Sequence, residues 1–419
     1  MLPILVASTV LFFFLGRSIG RNNDVNEPLA SRLTTLGTCI GIVMLLVQLT
    51  HILSSFIALV GVSFFTFKLI SYIIEVHRKH IPPTDDFIAF ALYVAFFPTM
   101  LSGPIDRPKA FLSQVSAPRI FQYDMAVDGM RQILWGMLKK FVVADSLAPF
   151  IALGWEHPEE STQVGLLLVA IIYPMQLYFD FSGYSDLAIG IAKVLGIKVA
   201  KNFNYPFFAR NMADYWRRWH MSLTSWLTDY VFMPLNIRFR DYDNLGIILA
   251  CIINMVTVGL WHGLDWTYLL FGIYHGLLFI PLILNGEFLS KKKVKFTGYA
   301  PPLRYVGQIV CTYLLVAFGM LLFRADNISN LGQFLESMIV GNAMMERIQL
   351  SASLFPIMTS MMVTGLIACE WLAFVDKKEY AFQMVTKCPT LLRYAIYMLV
   401  VLLFLLKVGG NEAFIYAQF

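Results

Sequence analysis

The sequence predicts an all-α polytopic membrane protein, and two properties of the chain lead to this fold class. Hydrophobic residues make up 58% of its 419 residues and charged residues only 14%, whereas about a quarter of a soluble globular protein is charged. The mean hydropathy is +0.65, and apolar segments approaching the ~20 residues that cross a bilayer recur along the chain. We therefore expect most of the chain to be embedded in a membrane, without a separate soluble domain.

Eleven apolar segments are candidate membrane helices. Their expected bounds are 2–15, 33–52, 54–75, 86–101, 131–150, 164–180, 245–261, 266–284, 303–323, 354–375 and 391–406. Segments 86–101 and 245–261 are short for a span, and the alternatives are a tilted helix, a re-entrant helix or a helix stacked inside the bundle. Segment 131–150 carries two lysines and an aspartate, so an amphipathic helix at the membrane surface is an alternative there. The sequence supports roughly nine to eleven transmembrane or re-entrant helices.

The region 181–244 contains no clean span and mixes aromatic with polar residues. Irregular backbone at membrane depth persists only where it packs against protein or faces water. We therefore expect short and re-entrant helices that form the floor of a cavity. The polar run Asp180–Asp186 and the pair Gly103 and Pro104 are interpreted as helix breaks and as polar groups that find partners within the bundle.

Other classes of function find little support in the composition. The net charge of +5 is modest and is attributed to cytoplasmic loops, so no nucleic-acid partner is expected. The five cysteines are scattered singly, which makes disulfides and cysteine-bound zinc improbable. The first apolar run, 2–15, lacks a basic n-region and a cleavage site, and is interpreted as a membrane helix rather than a cleaved signal.

Two basic clusters flank the apolar segments 245–261 and 266–284. They consist of Arg217, Arg218, Arg238 and Arg240 before the first segment, and of Lys291, Lys292, Lys293 and Lys295 after the second. Lys and Arg favour the cytoplasmic side, so both clusters are expected there. The connection 261–266 then points away from the cytoplasm, and His262 is expected inside the bundle, reached from outside.

Three of the seven histidines, His220, His262 and His275, lie within residues 214–276. An ionisable residue at membrane depth is costly and marks a candidate functional site. A shared zinc ion is not expected, because 13 residues along a continuous helix would separate His262 from His275 by about 20 Å. From the residues alone, His262 is either a functional base or a buried histidine bonded to a carbonyl group.

Seven short sequence motifs follow one another along the chain. They are Gly61–Phe67, Leu101–Arg107, Asp180–Asp186, Asn202–Pro206, Trp216–His220, Gly259–Gly263 and Leu322–Ala325. In these blocks the chain resembles the membrane-bound O-acyltransferase (MBOAT) family, in the bacterial branch of alginate O-acetylases and peptidoglycan O-acetyltransferases. The resemblance implies a helical bundle around a central reaction chamber. It also implies a single integral-membrane domain, 1–419, with a core at 55–330 and C-terminal helices and tail at 331–419.

Two departures from the family accompany the resemblance. The chain starts late relative to such proteins, so an N-terminal helix or two is expected to be missing. Lys68 stands where relatives usually carry a neutral polar residue. It could extend to the membrane surface, pair with a carboxylate, or line the path of the acyl donor.

The resemblance also implies roles for individual residues. His262 would be the catalytic base that takes the proton of an acceptor hydroxyl, a task that suits neutral imidazole. His220 would orient that imidazole or polarise the thioester carbonyl; the alternative is a histidine packed among tryptophans. Arg217 and Arg218 would bind the phosphates of coenzyme A or an acidic carrier protein, or would be ordinary basic anchors at the cytoplasmic face.

The function implied is an O-acyltransferase of the bacterial cytoplasmic (inner) membrane. It would move an acetyl group from a cytoplasmic thioester, with acetyl-CoA as donor and no bound cofactor, to an exported or cell-wall polysaccharide. The implied partner is an extracytoplasmic SGNH, esterase-like acetyltransferase. One alternative is a teichoic-acid D-alanyl transferase that uses a carrier-protein thioester. The other is a transporter or non-enzymatic export component, although no internal repeat of the kind common in transporters is visible.

The aromatic chain end, 414–419, contains Tyr416. It resembles the C-terminal ends of acetylase-branch proteins and the tail of a small partner peptide in D-alanylation systems. This resemblance is compatible with a relay in which Tyr416 is acylated first and then passes the group to an extracellular partner. The alternative is an aromatic anchor at the membrane interface, where Tyr and Phe commonly lie.

Overall fold

The computed structural model describes residues 2–49, 61–118, 120–290, 298–340 and 355–407. Regular structure in these ranges is helical, with no strand. The α-helices are α1 Leu2–Asn22, α2 Glu27–Leu49, α3 Val62–His77, α4 Phe87–Ala95, α5 Phe97–Met100, α6 Pro108–Val115, α7 Tyr123–Met137, α8 Asp145–Glu156, α9 Gln163–Val194, α10 Met212–Trp216, α11 Met221–Leu227, α12 Met233–Arg238, α13 Asp243–His262, α14 Trp266–Leu277, α15 Ile280–Leu284, α16 Leu303–Arg324, α17 Ile328–Val340, α18 Phe355–Val375 and α19 Thr390–Lys407.

Seven helical stretches in the described ranges are long and apolar enough to cross a membrane. They are Leu2–Asn22, Glu27–Leu46, Gln163–Val194, Arg240–His262, Trp266–Leu284, Leu303–Arg324 and Thr390–Lys407. The predicted all-α polytopic class is confirmed. The segment expected to be short at 245–261 is in fact part of a 23-residue helical stretch, so it needs no tilted or re-entrant arrangement to span.

Residues 86–101 do not form a single helix, because two short helices, α4 and α5, replace it. The alternative of a segment that is re-entrant or stacked inside the bundle stays a prediction. Pro98 lies in the first turn of α5, where proline is tolerated since its missing N–H would have no helical partner. In a continuous helix the same proline would remove the hydrogen bond to the residue four positions earlier. The break after α5 at residues 101–107, which contains Gly103 and Pro104, was correctly expected.

The helix break expected at Asp180–Asp186 is wrong, because α9 continues through this run to Val194. The expectation that its polar side chains find partners within the bundle is confirmed. Lys140 Nζ lies 2.5 Å from Asp180 Oδ1, and Lys139 Nζ donates to Ser182 Oγ at 2.9 Å. Since partners satisfy these groups, the helix does not need to open to expose them to water.

The segment 131–150 is helical throughout, and whether it crosses the membrane or lies at its surface stays a prediction. It consists of the end of α7, a π-helix at Leu138–Ala144 and the start of α8. Lys139 and Lys140 are buried rather than directed to a membrane surface. The short helices expected over 181–244 are present as α10, α11 and α12, but residues 181–194 belong to the long helix α9, so the expectation is wrong for that part.

The described residues form two compact units. The first contains the residues up to Ile133 and Tyr184–Lys201, and the second contains Leu134–Gly183 and the residues from Asn202 onward. The first unit has an aromatic core that includes Phe65, Tyr72 and Phe90. All three candidate histidines lie in the second unit. A single integral-membrane domain stays a prediction.

Lys68 lies within the first unit and is completely buried, so it does not extend to a membrane surface. Its ammonium donates to Thr99 Oγ1 at 3.0 Å and to the main-chain oxygen of Tyr93 at 3.3 Å. Burial raises the pKa of nearby Asp106 to about 6, although Lys68 and a hydrogen bond from the N–H of Ala200 oppose the rise. The lysine therefore balances a buried carboxylate.

Several stretches named from the sequence lie outside the described residues. They are the C-terminal segment with Tyr416, the basic cluster at 291–293 and 295, and residues 50–60, which contain the end of the expected span 33–52 and the start of the expected span 54–75. The proposed orientation of the chain in the membrane stays a prediction.

Candidate active site

His262 is the last residue of α13, and a tight helical hairpin places it there. Helices α13 and α14 approach closely at two glycines of α14. A Cβ on Gly272 would lie 2.6 Å from the main-chain oxygen of Met255. A Cβ on Gly276 would lie 2.9 Å from Cα of Ile252. Gly263 follows in an extended conformation, and α14 begins at Trp266. Gly272 and Gly276 thus allow the backbones of α13 and α14 to meet.

Aromatic rings surround the imidazole of His262, which is only 7% exposed. The ring centroids of Trp261 and Phe323 lie 4.4 Å and 4.8 Å away, both edge-on. Tyr268 lies 6.4 Å away and is close to parallel, with an interplanar angle of 27°. Offset and edge-on contacts of this kind hold a ring in a defined plane, so the orientation of this imidazole is fixed by packing.

His220 precedes α11 in a left-handed conformation, with φ 42° and ψ 51°. Its side chain is 1% exposed. The ring of Phe181 lies 4.7 Å from it and the ring of Trp261 6.0 Å from it, both edge-on. Trp261 therefore contacts both His220 and His262, and the structure brings the two predicted site histidines together around one indole.

The surroundings of His220 favour its neutral form. Burial lowers the pKa of His220 well below its usual value, and nearby His262 lowers it further. At neutral pH the imidazole of His220 therefore carries one N–H donor and one nitrogen acceptor. Such a group can orient a second imidazole or donate a hydrogen bond to a carbonyl oxygen.

A sequence model of the membrane-bound O-acyltransferase family, MBOAT, matches residues 43–303. The chain belongs to the MBOAT family. It is 34% identical over 354 residues to an Azotobacter vinelandii protein named "Probable alginate O-acetylase". It is 36% identical over 296 residues to the protein of that name in Pseudomonas aeruginosa, and 30% identical over 310 residues to a Helicobacter pylori "Peptidoglycan O-acetyltransferase".

These alignments cover 78%, 69% and 67% of this chain. They cover 66%, 52% and 56% of the three relatives, so the chain spans less than two thirds of the length of each. Together with the seven apolar helices, the family match identifies a multi-pass membrane protein.

His275 of this MBOAT protein occupies a different environment. It is completely buried, its Nδ1 accepts a hydrogen bond from Trp216 Nε1 at 3.4 Å, and Phe271 packs against it at 4.5 Å. Among the described residues, the group of three potential ligands whose atoms lie within 4.8 Å of one another is the exposed set His157, Glu159 and Glu160. The expected absence of a metal site at the buried histidines stays a prediction.

Arg217 and Arg218 both bind protein atoms. Arg217 donates to the main-chain oxygens of Phe288 at 3.2 Å and Ser290 at 3.4 Å. Arg218 pairs with Asp214 at 2.9 Å. These contacts give both arginines a structural task at the turn after α15 and beside α10, and their binding of donor phosphates stays a prediction.

Two aromatic neighbours of the MBOAT histidines were not singled out from the sequence. Phe181 contacts His220 and Phe323 contacts His262. Both lie in blocks that carry the family resemblance, Asp180–Asp186 and Leu322–Ala325. Their position in those blocks was the only signal in the sequence. A phenylalanine in an apolar segment does not by itself show which ring it will contact.

Proposed function

We propose that this protein is an O-acetyltransferase that takes an acetyl group from a cytoplasmic thioester, with acetyl-CoA as the donor, and delivers it to a polysaccharide hydroxyl outside. The observation that carries the proposal is the placement of His220 and His262 around Trp261, enclosed by aromatic rings. Two buried imidazoles in the apolar interior of an MBOAT protein suit proton transfer in an acyl exchange.

The chemistry requires one proton to move and two bonds to change. His262 takes the proton of the acceptor hydroxyl, and the oxygen attacks the thioester carbonyl. The new C–O bond forms as the C–S bond breaks, and the departing thiolate receives the proton from His262. His220 orients His262 or donates a hydrogen bond to the carbonyl oxygen as negative charge develops there, the usual role of an oxyanion donor.

The names of the relatives support the acceptor class and the setting. Alginate and peptidoglycan are polysaccharide-containing polymers, and relatives in both groups are named O-acetyl-transferring proteins. We therefore place the protein in the bacterial cytoplasmic membrane, acting on an exported or cell-wall polysaccharide. An extracytoplasmic SGNH, esterase-like acetyltransferase is the proposed partner that completes the transfer.

A D-alanyl transfer is the second candidate, because one specific similarity favours it. The chain is 37% identical over 251 residues to a Streptococcus thermophilus "Teichoic acid D-alanyltransferase". The same histidine chemistry would serve that reaction, with a carrier-protein thioester as donor in place of acetyl-CoA.

Membranes prepared with and without the chain separate these possibilities. We expect radiolabelled acetyl-CoA to label polymer only in membranes that contain the chain. Label transferred from a D-alanyl carrier protein instead would support the second candidate. Transfer from neither donor, together with loss of polysaccharide from the cell surface when the chain is removed, would indicate an export component.

A tyrosine ester at Tyr416 is part of the proposed route. A phenol has a pKa of ~10, well below that of a sugar hydroxyl, so the ester keeps much of the transfer potential of the thioester. Tyr416→Phe retains the ring and removes the hydroxyl. We expect this variant to lose most polysaccharide acetylation, measured as ester-linked acetate released by mild base.

Tyr394→Phe is a suitable control, because Tyr394 is an exposed tyrosine on the C-terminal helix α19. It should acetylate as the unsubstituted protein does. Unchanged acetylation in Tyr416→Phe would rule out the relay and leave an interfacial anchor as the role of this tyrosine.

A further inference from the structure

The backbone at His220 adopts a conformation that needs support. A positive φ is uncommon for residues other than glycine, although histidine occurs there more often than most. Such a conformation persists where the surrounding structure holds it. His220 has φ 42°, and the direction of its side chain depends on that turn being maintained.

Asn202 binds the two residues that follow His220. Its main-chain oxygen accepts from the N–H of Met221 at 2.8 Å, and its side-chain Oδ1 accepts from Ser222 Oγ at 2.5 Å. Asn202 is completely buried and Ser222 is 3% exposed. Solvent therefore does not compete for this contact.

A second set of bonds holds the chain on the other side of His220. The N–H of Asn204 donates to the main-chain oxygen of Arg218 at 3.0 Å, and Arg218 Nη1 donates to the main-chain oxygen of Asn204 at 3.4 Å. Segment 202–204 thus pairs with residues on both sides of His220. Of these contacts, the bond between Asn202 and Ser222 joins two side chains.

We propose that Asn202 is a positioning residue for acyl transfer: through its side-chain bond to Ser222 it holds the left-handed turn that directs the His220 imidazole toward Trp261 and His262. The inference rests on the proposed function, in which His220 assists His262. Asn202 itself contacts no reacting atom in this arrangement. Its effect on the reaction passes through His220.

The chemistry of the site explains why an amide suits this position. An amide oxygen accepts the Ser222 hydroxyl without placing a charge in a fully buried site, whereas a carboxylate would carry a large desolvation cost. An apolar residue would leave the hydroxyl of Ser222 without this acceptor.

A double-mutant cycle on Asn202→Ala and Ser222→Ala tests the bond. Full-length variants would be assayed in membrane vesicles with radiolabelled acetyl-CoA. We expect each single variant to lower kcat about tenfold with little change in the KM for acetyl-CoA, the loss expected for a buried hydrogen bond. The double variant should be no slower than the slower single variant, because both remove the same interaction.

Asn204→Ala is the matched control, because the two contacts of Asn204 described above use main-chain atoms. It should transfer acetyl groups at the unsubstituted rate. Membrane abundance would be measured for every variant, and kcat expressed per folded molecule. If Asn202→Ala fails to accumulate, Ser222→Ala removes the same bond from its other end and decides the question.

The same cycle in a His220→Ala background distinguishes positioning from general support of the fold. His220→Ala should slow transfer by roughly one to three orders of magnitude. In that background Asn202→Ala should slow the residual transfer no further. A further drop, or wild-type kcat in both Asn202→Ala and Ser222→Ala, would overturn the inference.

A different experimental result would contradict the proposed function. If the unsubstituted protein transfers no acyl group from either donor, or if His262 is dispensable, the acyltransferase assignment itself is wrong. If only the Asn202 inference is wrong, transfer still depends on His262. In that case Asn202 does not act through His220.

Discussion

His262→Ala is expected to abolish acetyl transfer while the protein reaches the membrane at normal abundance. The imidazole is the proposed base, and the rings that contact it, those of Trp261, Phe323 and Tyr268, cannot accept the proton in its place. A positioned general base contributes about 10²–10⁴-fold to a rate, so transfer should fall at least into that range. The measurement is the initial rate of labelling from radiolabelled acetyl-CoA per amount of membrane protein.

His275→Asn provides a matched comparison, because it alters another buried imidazole on the adjacent helix α14. The ring contacts of His275 are with Trp216, Phe271 and Tyr274, not with His262. We expect this variant to lose some stability but to keep transfer within about tenfold per folded molecule. Near-normal transfer by His262→Ala, or equal losses in the two variants, would contradict the assignment of the base.

The fold class and the long spans could be predicted because hydrophobic length is a local property of the sequence. The length of an apolar run such as 303–323 indicates by itself that the segment can cross a membrane. The structure places this run in α16. The failures occurred where a single residue or a distant partner decides the structure. Pro98 divides one apolar run into α4 and α5, and it does so through its missing N–H, which the hydropathy of the run does not show.

The continuation of α9 through Asp180 illustrates the second kind of failure. Local sequence shows a polar run that should leave an apolar environment. The lysine that partners Ser182 lies 43 positions away, and no feature of the run itself reveals that partner. Pairing between distant polar residues therefore turned an expected break into continuous helix.

The candidate site was predictable in part for the same reason. A histidine beside an apolar run is conspicuous in the sequence, and so is its aromatic neighbour Trp261. That Trp261 also contacts His220, and that Phe323 contacts His262, depends on how separate helices pack. The sequence motifs identified the candidate imidazole and indole groups. The packing of separate helices determines which of these groups are in contact.

Lys140→Met is expected to produce the largest loss of stability outside the site. The ammonium of Lys140 lies 2.5 Å from Asp180 and 2.7 Å from Asp145, and the side chain of Asp180 is 1% exposed. Removing the cation leaves the carboxylate of Asp180 buried beside a methionine. Breaking a buried ion pair from one side costs about 3–5 kcal/mol, and we expect a lower unfolding temperature of the detergent-solubilised protein.

A second substitution should recover much of that loss. In Lys140→Met combined with Asp180→Asn, the residue opposite methionine is neutral, so the cost of removing the Lys140 cation from a buried carboxylate disappears. Lys193→Met is the control, because Lys193 and its partner Asp128 are more exposed, at 14% and 26%, and water screens the loss of that pair. If Lys140→Met unfolds no earlier than Lys193→Met, the buried charge of Asp180 does not depend on Lys140. If it unfolds earlier and Asp180→Asn restores it, the loss comes from the buried charge of Asp180, and Lys140 is the cation that compensates that charge inside α9.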